Sequence, residues 1–222
     1  MPWTSNAMAI TSLRNLLSDN STDKYAYRKK VFGDLNGTNL TFKTFEDKRV
    51  TDFTKDTQAQ GVYKNNVQLA TNAIASDNPQ EGEFTLVSAP VDGDILQASY
   101  YYRWFLDSDL DSFLQNASLW LGYSTTYINL PDGLIPACLR YSAGEAYEKL
   151  YLRWSMRTNQ TYLLEDSPDD NIKMIDSFQS MSKQFKDMAI EHRNDYYTRQ
   201  GQAKAPLYGF ALGRIRDIPP RG

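Results

Sequence analysis

The hydrophobic period of this chain changes near Phe105, and that change constrains the fold more than any other feature. In Ile95–Trp104 the side chains alternate, which predicts a strand with one buried face and one wetter face. The expected buried face consists of Leu96, Ala98, Tyr100, Tyr102 and Trp104, and the wetter face of Gln97, Ser99 and Arg103. From Asp107 onward the apolar residues recur at helical spacing. A β segment is therefore followed by a helical one.

The sequence before Phe105 predicts a small antiparallel sheet or barrel-like sandwich, spanning about Val31–Arg103. Turn-forming Asn, Gly and Pro residues punctuate it and separate short runs rich in β-formers. Further strands are expected in Asn39–Phe45, in Gly61–Leu69 on both sides of Asn65-Asn66, and in Glu83–Val87. The polar stretch Thr71–Gly82 is expected to be a loop, and Lys24–Lys30 shows no clear pattern.

Helical patterns flank this β segment. A short helix is expected at Ala7–Ser18, and three longer ones follow Phe105. The first of the three starts at Asp107 or Ser108 and ends at Gly122, the second has Pro136 in its first turn, and the third runs from Pro168 to about Tyr197 with Ser167 as its N-cap. The third carries a coiled-coil-like seam of Met174, Phe178, Met181, Phe185 and Met188. Gly144, within the second, predicts close packing of two helices.

These patterns predict an α+β protein: a helical bundle body with an inserted small antiparallel β module and an extended C-terminal arm. The predicted divisions are an N-terminal helix and lead-in at 1–30, the β module at 31–105, the helical domain at 106–200 and the arm at 201–222. The arm is rich in Gly and Pro, which oppose regular structure. It also carries large apolar and basic residues, namely Leu207, Tyr208, Phe210, Leu212, Arg214, Ile215, Arg216, Ile218 and Arg221. We interpret it as a segment that stays extended until it docks on a partner; the alternative is a tail folded back on its own helices.

Composition argues against several functional classes. With 24 basic and 27 acidic residues, the chain has no global positive field that would hold DNA by its phosphates. The single cysteine, Cys138, permits neither an intrachain disulfide nor a cysteine-cluster metal site. No secretory signal and no apolar run of membrane-spanning length is evident, which predicts a soluble protein without membrane contact. We expect no enzyme activity, no catalytic residues, no cofactor and no metal.

Individual candidates for chemistry have plainer explanations. His192, the only histidine, is expected near the end of the last helix, and Cys138 is expected to be a buried thiol with no neighbouring base. The acids of Asp107–Asp111 suggest calcium, but the Gly and the distal Glu that a calcium loop needs are missing, so helix capping explains them better. The aromatic run Tyr100–Phe105 is expected to pack in the sheet, with a sugar-binding platform as the alternative.

Several segments carry a resemblance to a known family. They are Thr41–Phe45 (TFKTF), Val62-Tyr63 with Val67, Glu83–Pro90 (EFTLVSAP), Asp92–Phe105 (DGDILQASYYYRWF) and Leu106–Leu114 (LDSDLDSFL). Together they resemble the β module of head-to-tail connector (adaptor) proteins of tailed bacteriophages and its exit into the helical domain, over about Thr38–Leu121. The long stretch Thr71–Gly82 departs from the compact form of that module.

The resemblance implies a structural virion protein of the phage neck, at the head-tail interface, assembled in the host cytoplasm. Such proteins form a homo-oligomeric ring, commonly a dodecamer, between the portal protein at the capsid vertex and a downstream neck or tail terminator protein. Double-stranded DNA passes through the lumen only as transient cargo. The C-terminal arm of such adaptors often inserts into the portal, and here that role would map onto Pro206–Gly222. The competing hypothesis is a carbohydrate- or surface-binding β module that uses the aromatic sheet.

Overall fold

The computed structural model describes residues 3–45, 48–55, 60–124, 126–159 and 168–201, so the predicted arm, 201–222, lies outside the described residues except for Gly201. The chain forms two compact units. One comprises Ala7–Ser112, and the other comprises Met1–Asn6 together with Phe113–Gly222. The predicted α+β class is confirmed, with antiparallel sheets in the first unit and packed helices in the second.

The first unit begins with helix α1, Asn6–Leu17, whose first residue belongs by contacts to the second unit. Seven strands follow in the described residues: β1 Tyr25–Lys30, β2 Thr41–Lys43, β3 Gly61–Lys64, β4 Val67–Gln68, β5 Ile74–Asn78, β6 Glu83–Leu86 and β7 Leu96–Tyr101. They pair antiparallel in two sheets, with strand orders β1-β7-β3-β4 and β2-β6-β5. We call these the four-stranded and the three-stranded sheet.

One hydrophobic core joins the inner faces of the two sheets. Alternation along β7 directs Leu96, Ala98 and Tyr100 into this core, as the sequence predicts, and Tyr102 packs at its border. Its other members are Ala26, Val31, Phe42, Phe53, Val62, Ile74, Phe84 and Leu86. The predicted strand is too long, because β7 ends at Tyr101, and Trp104 lies beyond it, half-buried.

The predicted hairpin around Asn65-Asn66 is confirmed. Both asparagines have positive φ, 51° and 67°, which is the conformation that a tight turn between β3 and β4 requires. Asn65 also ties the turn to the start of β7, because the backbone N–H of Ile95 donates to its side-chain oxygen at 2.8 Å. Asparagine is thus used here both for its backbone conformation and for its amide.

Two strands were not predicted. The stretch Thr71–Gly82 is not simply a loop, because it contains a short 3-10 helix, Thr71–Ala73, and then β5. Strand β1 precedes the predicted start of the β module at Val31 and pairs with β7. A bulge between Ala26 and Lys29 interrupts its alternation, and the backbone N–H of Arg28, which has φ 44°, donates to Ser99 Oγ at 2.9 Å.

The second unit consists mainly of helices. Helix α2, Asp107–Trp120, starts in the first unit and continues into the second, and α3 and α4 span Ile135–Asn159 and Pro168–Arg199. The predicted ends are confirmed by Pro136 in the first turn of α3 and by Gly122, with φ 86°, just after α2. Helix α2 packs on α3, where Ser142 Oγ donates to the carbonyl oxygen of Phe113 at 3.1 Å.

Helices α3 and α4 pack closely at Gly144, as predicted. A Cβ atom at this position would lie 2.7 Å from Lys186 Cγ and 3.1 Å from the carbonyl oxygen of Ser182. The hydroxyl of Ser182 donates to the carbonyl oxygen of Gly144 at 2.8 Å. The predicted seam is only partly buried: Phe178 is buried, whereas Met174, Met181, Phe185 and Met188 are half-buried. The other buried residues of α4 are Ser182, Ala189 and Arg193.

Candidate interaction surfaces

Asp19 fixes the place where the chain leaves the sheet. Its buried carboxylate accepts the backbone N–H of Trp104 at 2.7 Å and that of Phe105 at 3.2 Å. It also forms an ion pair with Arg14 of α1 at 3.1 Å, and Lys24 Nζ lies 3.2 Å away. Burial lowers the pKa of Lys24 despite that neighbouring carboxylate. In the sequence Asp19 only follows the predicted helix Ala7–Ser18, so its role as an anchor for Phe105 was missed.

A second buried ion pair ties the three-stranded sheet to the loop before β3. Asp77 of β5 pairs with Arg49, and its carboxylate also accepts the backbone N–H of Phe53 at 2.7 Å. The Arg49 guanidinium lies 4.0 Å from the centre of the Phe53 ring and donates to the carbonyl oxygen of Thr51 at 2.9 Å. The polar strand β5 is thus held by a charge pair that no local pattern reveals.

The residues considered for chemistry, Cys138 and His192, belong to different helices. Cys138 is buried in α3, and burial raises the pKa of its thiol to about 12, so the thiol stays neutral at physiological pH. His192 is half-buried near the end of α4, where the sequence predicts it. Its neighbour Arg193 is buried and stacks on Trp120, with the guanidinium carbon 4.4 Å from the ring centre.

The acidic residues at the start of α2 form ion pairs and hydrogen bonds within the protein. Asp107 pairs with Arg14 at 2.6 Å, and the Asp109 carboxylate accepts the backbone N–H of Leu106 at 3.0 Å. These contacts match the predicted first-turn role of the acids. In the part of the chain that the structure describes, no group of three or more His, Cys, Asp or Glu side chains is placed to hold a metal ion.

The aromatic run Tyr100–Phe105 does not form a platform as a whole. Tyr100 and Phe105 are completely buried, and the residues between them are half-buried. Two exposed rings, Tyr25 and Tyr27, lie instead on the outer face of the four-stranded sheet. Their signal in the sequence is Tyr25-Ala26-Tyr27, an alternation too short to assign a strand.

We call this outer surface the tyrosine face; it consists of the exposed Tyr25, Tyr27 and Lys30, the half-buried Arg28 and Tyr101, and the buried Tyr63. Tyr25 pairs with Tyr101 across β1 and β7, with ring centres 4.8 Å apart. Tyr27 is 66% exposed. The Arg28 guanidinium lies across the face, 4.7 Å from the centre of the Tyr63 ring and 5.7 Å from that of Tyr27.

The tyrosine face is positively charged. The four strands of its sheet contain Arg28, Lys29, Lys30 and Lys64 and neither Asp nor Glu, although Lys64 forms an ion pair with Asp94 at 2.8 Å. Lys30 pairs with Gln97 and therefore belongs to the outer face, whereas Lys29 pairs with Ala98, whose side chain is in the core. Two buried polar atoms of this face, Arg28 Nε and Gln97 Oε1, have no hydrogen-bond partner in the described structure. Such atoms are uncommon in native proteins and call for a physical explanation.

An acidic surface lies on the last helix. Asp187, Glu191 and Asp195 are exposed and follow one another at intervals of four residues, so they form one row along α4. We call this row the acidic stripe. Ile190, also exposed, lies beside it. None of the three carboxylates forms an ion pair with a residue that the structure describes.

A cleft of about 450 Å³ opens between the edges of the two sheets. Apolar residues such as Phe53, Val62 and Ile74 line it together with the polar side chains of Lys55, Gln60, Gln68 and Thr71. None of its described lining residues is His, Cys, Asp or Glu. The described lining of the cleft therefore offers apolar area and the cation of Lys55.

No helix in the described ranges combines the length and apolar character needed to cross a membrane. The nine residues proposed for docking, from Leu207 to Arg221, lie outside the described residues, so their role stays a prediction from sequence. No family model, curated protein or solved structure matches the chain.

Proposed function

We propose that this chain is a structural subunit of a tailed-bacteriophage neck. It forms a ring that joins the portal protein at the capsid vertex to the next neck or tail protein, and DNA passes through the lumen. The proposed role is assembly, which depends on surfaces that bind other proteins.

One observation carries the proposal: the segments that resemble adaptor proteins coincide with regular elements in the expected order. Thr41–Phe45 contains β2, Glu83–Pro90 contains β6, and Asp92–Phe105 contains β7. The next segment, Leu106–Leu114, opens α2, so the chain passes from sheet to helix where the resemblance implies. Asp19 anchors that passage through the backbone of Trp104 and Phe105.

The C-terminal segment is the proposed portal-docking arm. Its apolar residues, including Leu207 and Phe210, supply area worth about 25 cal/mol per Å² when buried on a partner. Part of that gain offsets the entropy of ordering the segment. The arginines at 214, 216 and 221 can form forked contacts with carboxylates of the partner.

Deletion of Lys204–Gly222 tests the arm. We expect the truncated protein to keep its melting temperature and to fail to bind portal rings in a co-sedimentation assay. A full-length variant with Arg214, Arg216 and Arg221 changed to lysine is the matched control for charge, and it should bind more weakly than the parent but better than the truncation. A lower melting temperature after truncation would show that the arm belongs to the protein's own core.

Electron microscopy of the full-length protein with portal tests the function as a whole. The expected result is ring-shaped density of this protein bound to portal, and an absence of binding would contradict the proposal. The competing sugar-binding function has exposed Tyr25 and Tyr27 in its favour. However, these rings are tilted by 42° to each other, and Arg28 lies over one of them, so they offer no flat platform. Glycan-array binding by a monomer would favour that alternative.

A further inference from the structure

We infer that the tyrosine face of one copy binds the acidic stripe of a second copy of this chain. The inference deepens the proposed function and rests on it in one respect, because a ring requires an interface between copies. The contact joins two different surfaces, so it is heterologous, and such contacts propagate from copy to copy until the rotation closes a ring.

Charge complementarity identifies the second copy as the occupant. The four strands of the sheet contain neither Asp nor Glu, and its outer face presents Arg28 and Lys30. The acidic stripe presents Asp187, Glu191 and Asp195 at the surface of α4. Both surfaces belong to the same chain, so the basic groups of one copy offset part of the acidic stripe of the next when two copies meet.

The acidic stripe opposes the local rules of helix stability, which indicates a role outside the helix. Like charges at i,i+4 spacing destabilise a helix, and this stripe places three carboxylates in succession between Lys183 and Arg199. No cation among the described residues pairs with the stripe. The central Glu191 has no basic residue three or four positions away on the helix, and such a departure from local rules is expected where a surface serves a partner.

The dimensions and apolar groups of the two surfaces also match. Asp187 and Asp195 are about 12 Å apart along the helix, and β1 is about 16 Å long between Tyr25 and Lys30. Ile190 beside the stripe offers apolar area to the exposed ring of Tyr27. Tyrosine and arginine are enriched in protein interfaces, since each combines a large contact area with a polar end.

Charge reversal in the full-length protein tests the inference. The variant Arg28→Glu with Lys30→Glu should self-associate at least roughly tenfold more weakly than the parent at low salt, measured by analytical ultracentrifugation. The variant Asp187→Lys with Glu191→Lys should show the same loss. Lys29→Glu is the matched control for Lys30→Glu, because it makes the same charge change on the same strand while its register position belongs to the opposite face. Circular dichroism establishes that each variant is folded.

Mixing the two reversed variants is the decisive measurement. Neither should associate alone, but together the native face of one meets the native stripe of the other, and the two reversed surfaces are again complementary. Recovery of association in the mixture supports the inference. A parent protein that stays monomeric, a loss with no recovery on mixing, or equal effects of Lys29→Glu and Lys30→Glu would overturn it.

The outcome is separable from that of the proposed function. Association that follows these charges without any binding to portal would keep the interface and reject the neck function. Portal-bound rings that form equally well with reversed charges would keep the function and reject the interface. If the variant Arg28→Glu with Lys30→Glu lost binding to DNA but kept its self-association, the tyrosine face would be a nucleic-acid-binding surface. That result too would overturn the inference.

Discussion

Tyr100 shows at the scale of one residue how the two sheets depend on each other. Its side chain is fully buried and meets the rings of Phe53 and Tyr102 edge-on, at centroid distances of 6.4 and 6.2 Å. We expect Tyr100→Ala to lower the free energy of unfolding by about 3–5 kcal/mol, because a large core ring is lost and a cavity remains. Urea denaturation measures this. Tyr27→Ala, at an exposed ring, is the control and should change stability by less than about 0.5 kcal/mol. A comparable loss in both variants would contradict the description of this core.

Glu145 is a carboxyl group that the fold disfavours in its charged form. Burial raises its pKa, outweighing the hydrogen bond from Asn116 and the nearby charge of Lys186. The folded state therefore holds its proton more tightly than the unfolded state, so this group's destabilising effect is complete above the folded pKa and absent below the unfolded one. Glu145→Gln should be more stable than the parent at pH 7, with a difference that disappears near pH 4.

Chemical denaturation at several pH values measures this difference. Glu148→Gln is the control, because Glu148 is exposed and pairs with Lys186 at 2.6 Å. Loss of that surface pair should cost at most about 1 kcal/mol and bring no gain at neutral pH. A gain in Glu145→Gln that does not depend on pH would show that the carboxylate is not the cause.

At the scale of elements, the contact of α3 with α4 depends on a missing side chain at Gly144. Although glycine weakens a helix interior, a side chain here would overlap Lys186 and the backbone of Ser182. We expect Gly144→Val to destabilise the helical unit by about 1–3 kcal/mol through overpacking, measured by thermal unfolding. Leu152→Val, at an exposed position of α3, controls for the β-branched side chain. Equal losses of stability in Gly144→Val and Leu152→Val would show that the close packing of α3 on α4 contributes no stability.

Elements with a regular period or a strong turn signal were predictable from the sequence. Strand β7, the β3–β4 hairpin and the long helices all follow from alternation, from Asn65-Asn66 or from helix-end residues. Strand β1 was missed because its bulge breaks the alternation after Ala26. Strand β5 was missed because only Ile74 of its five residues is buried and apolar, and Asp77 finds its partner 28 residues away. The tyrosine face was unpredictable for the same reason, since it requires knowing that β1 lies beside β7.

At the scale of the whole molecule, the division into two units has a direct experimental consequence. The core of both sheets, the Asp19 anchor and the Arg49–Asp77 pair all lie within Ala7–Ser112. We expect this fragment, expressed alone, to fold and to unfold cooperatively in urea. A fragment of residues 7–94, which lacks β7, is the control and should be unfolded. The division would be contradicted if the longer fragment were also unfolded.

The central position of β7 also has a consequence for the timing of folding. Its two neighbours are made much earlier, and the contact of Arg28 with Ser99 joins residues 71 positions apart. On the ribosome, β1 and the β3–β4 hairpin therefore emerge without the strand that separates and pairs with them. Sheets with such sequence-distant pairing close slowly, typically in milliseconds to seconds. Because Tyr25, Tyr63 and Tyr101 belong to three strands that only β7 unites, a nascent chain has no tyrosine face to offer until its translation has passed that strand.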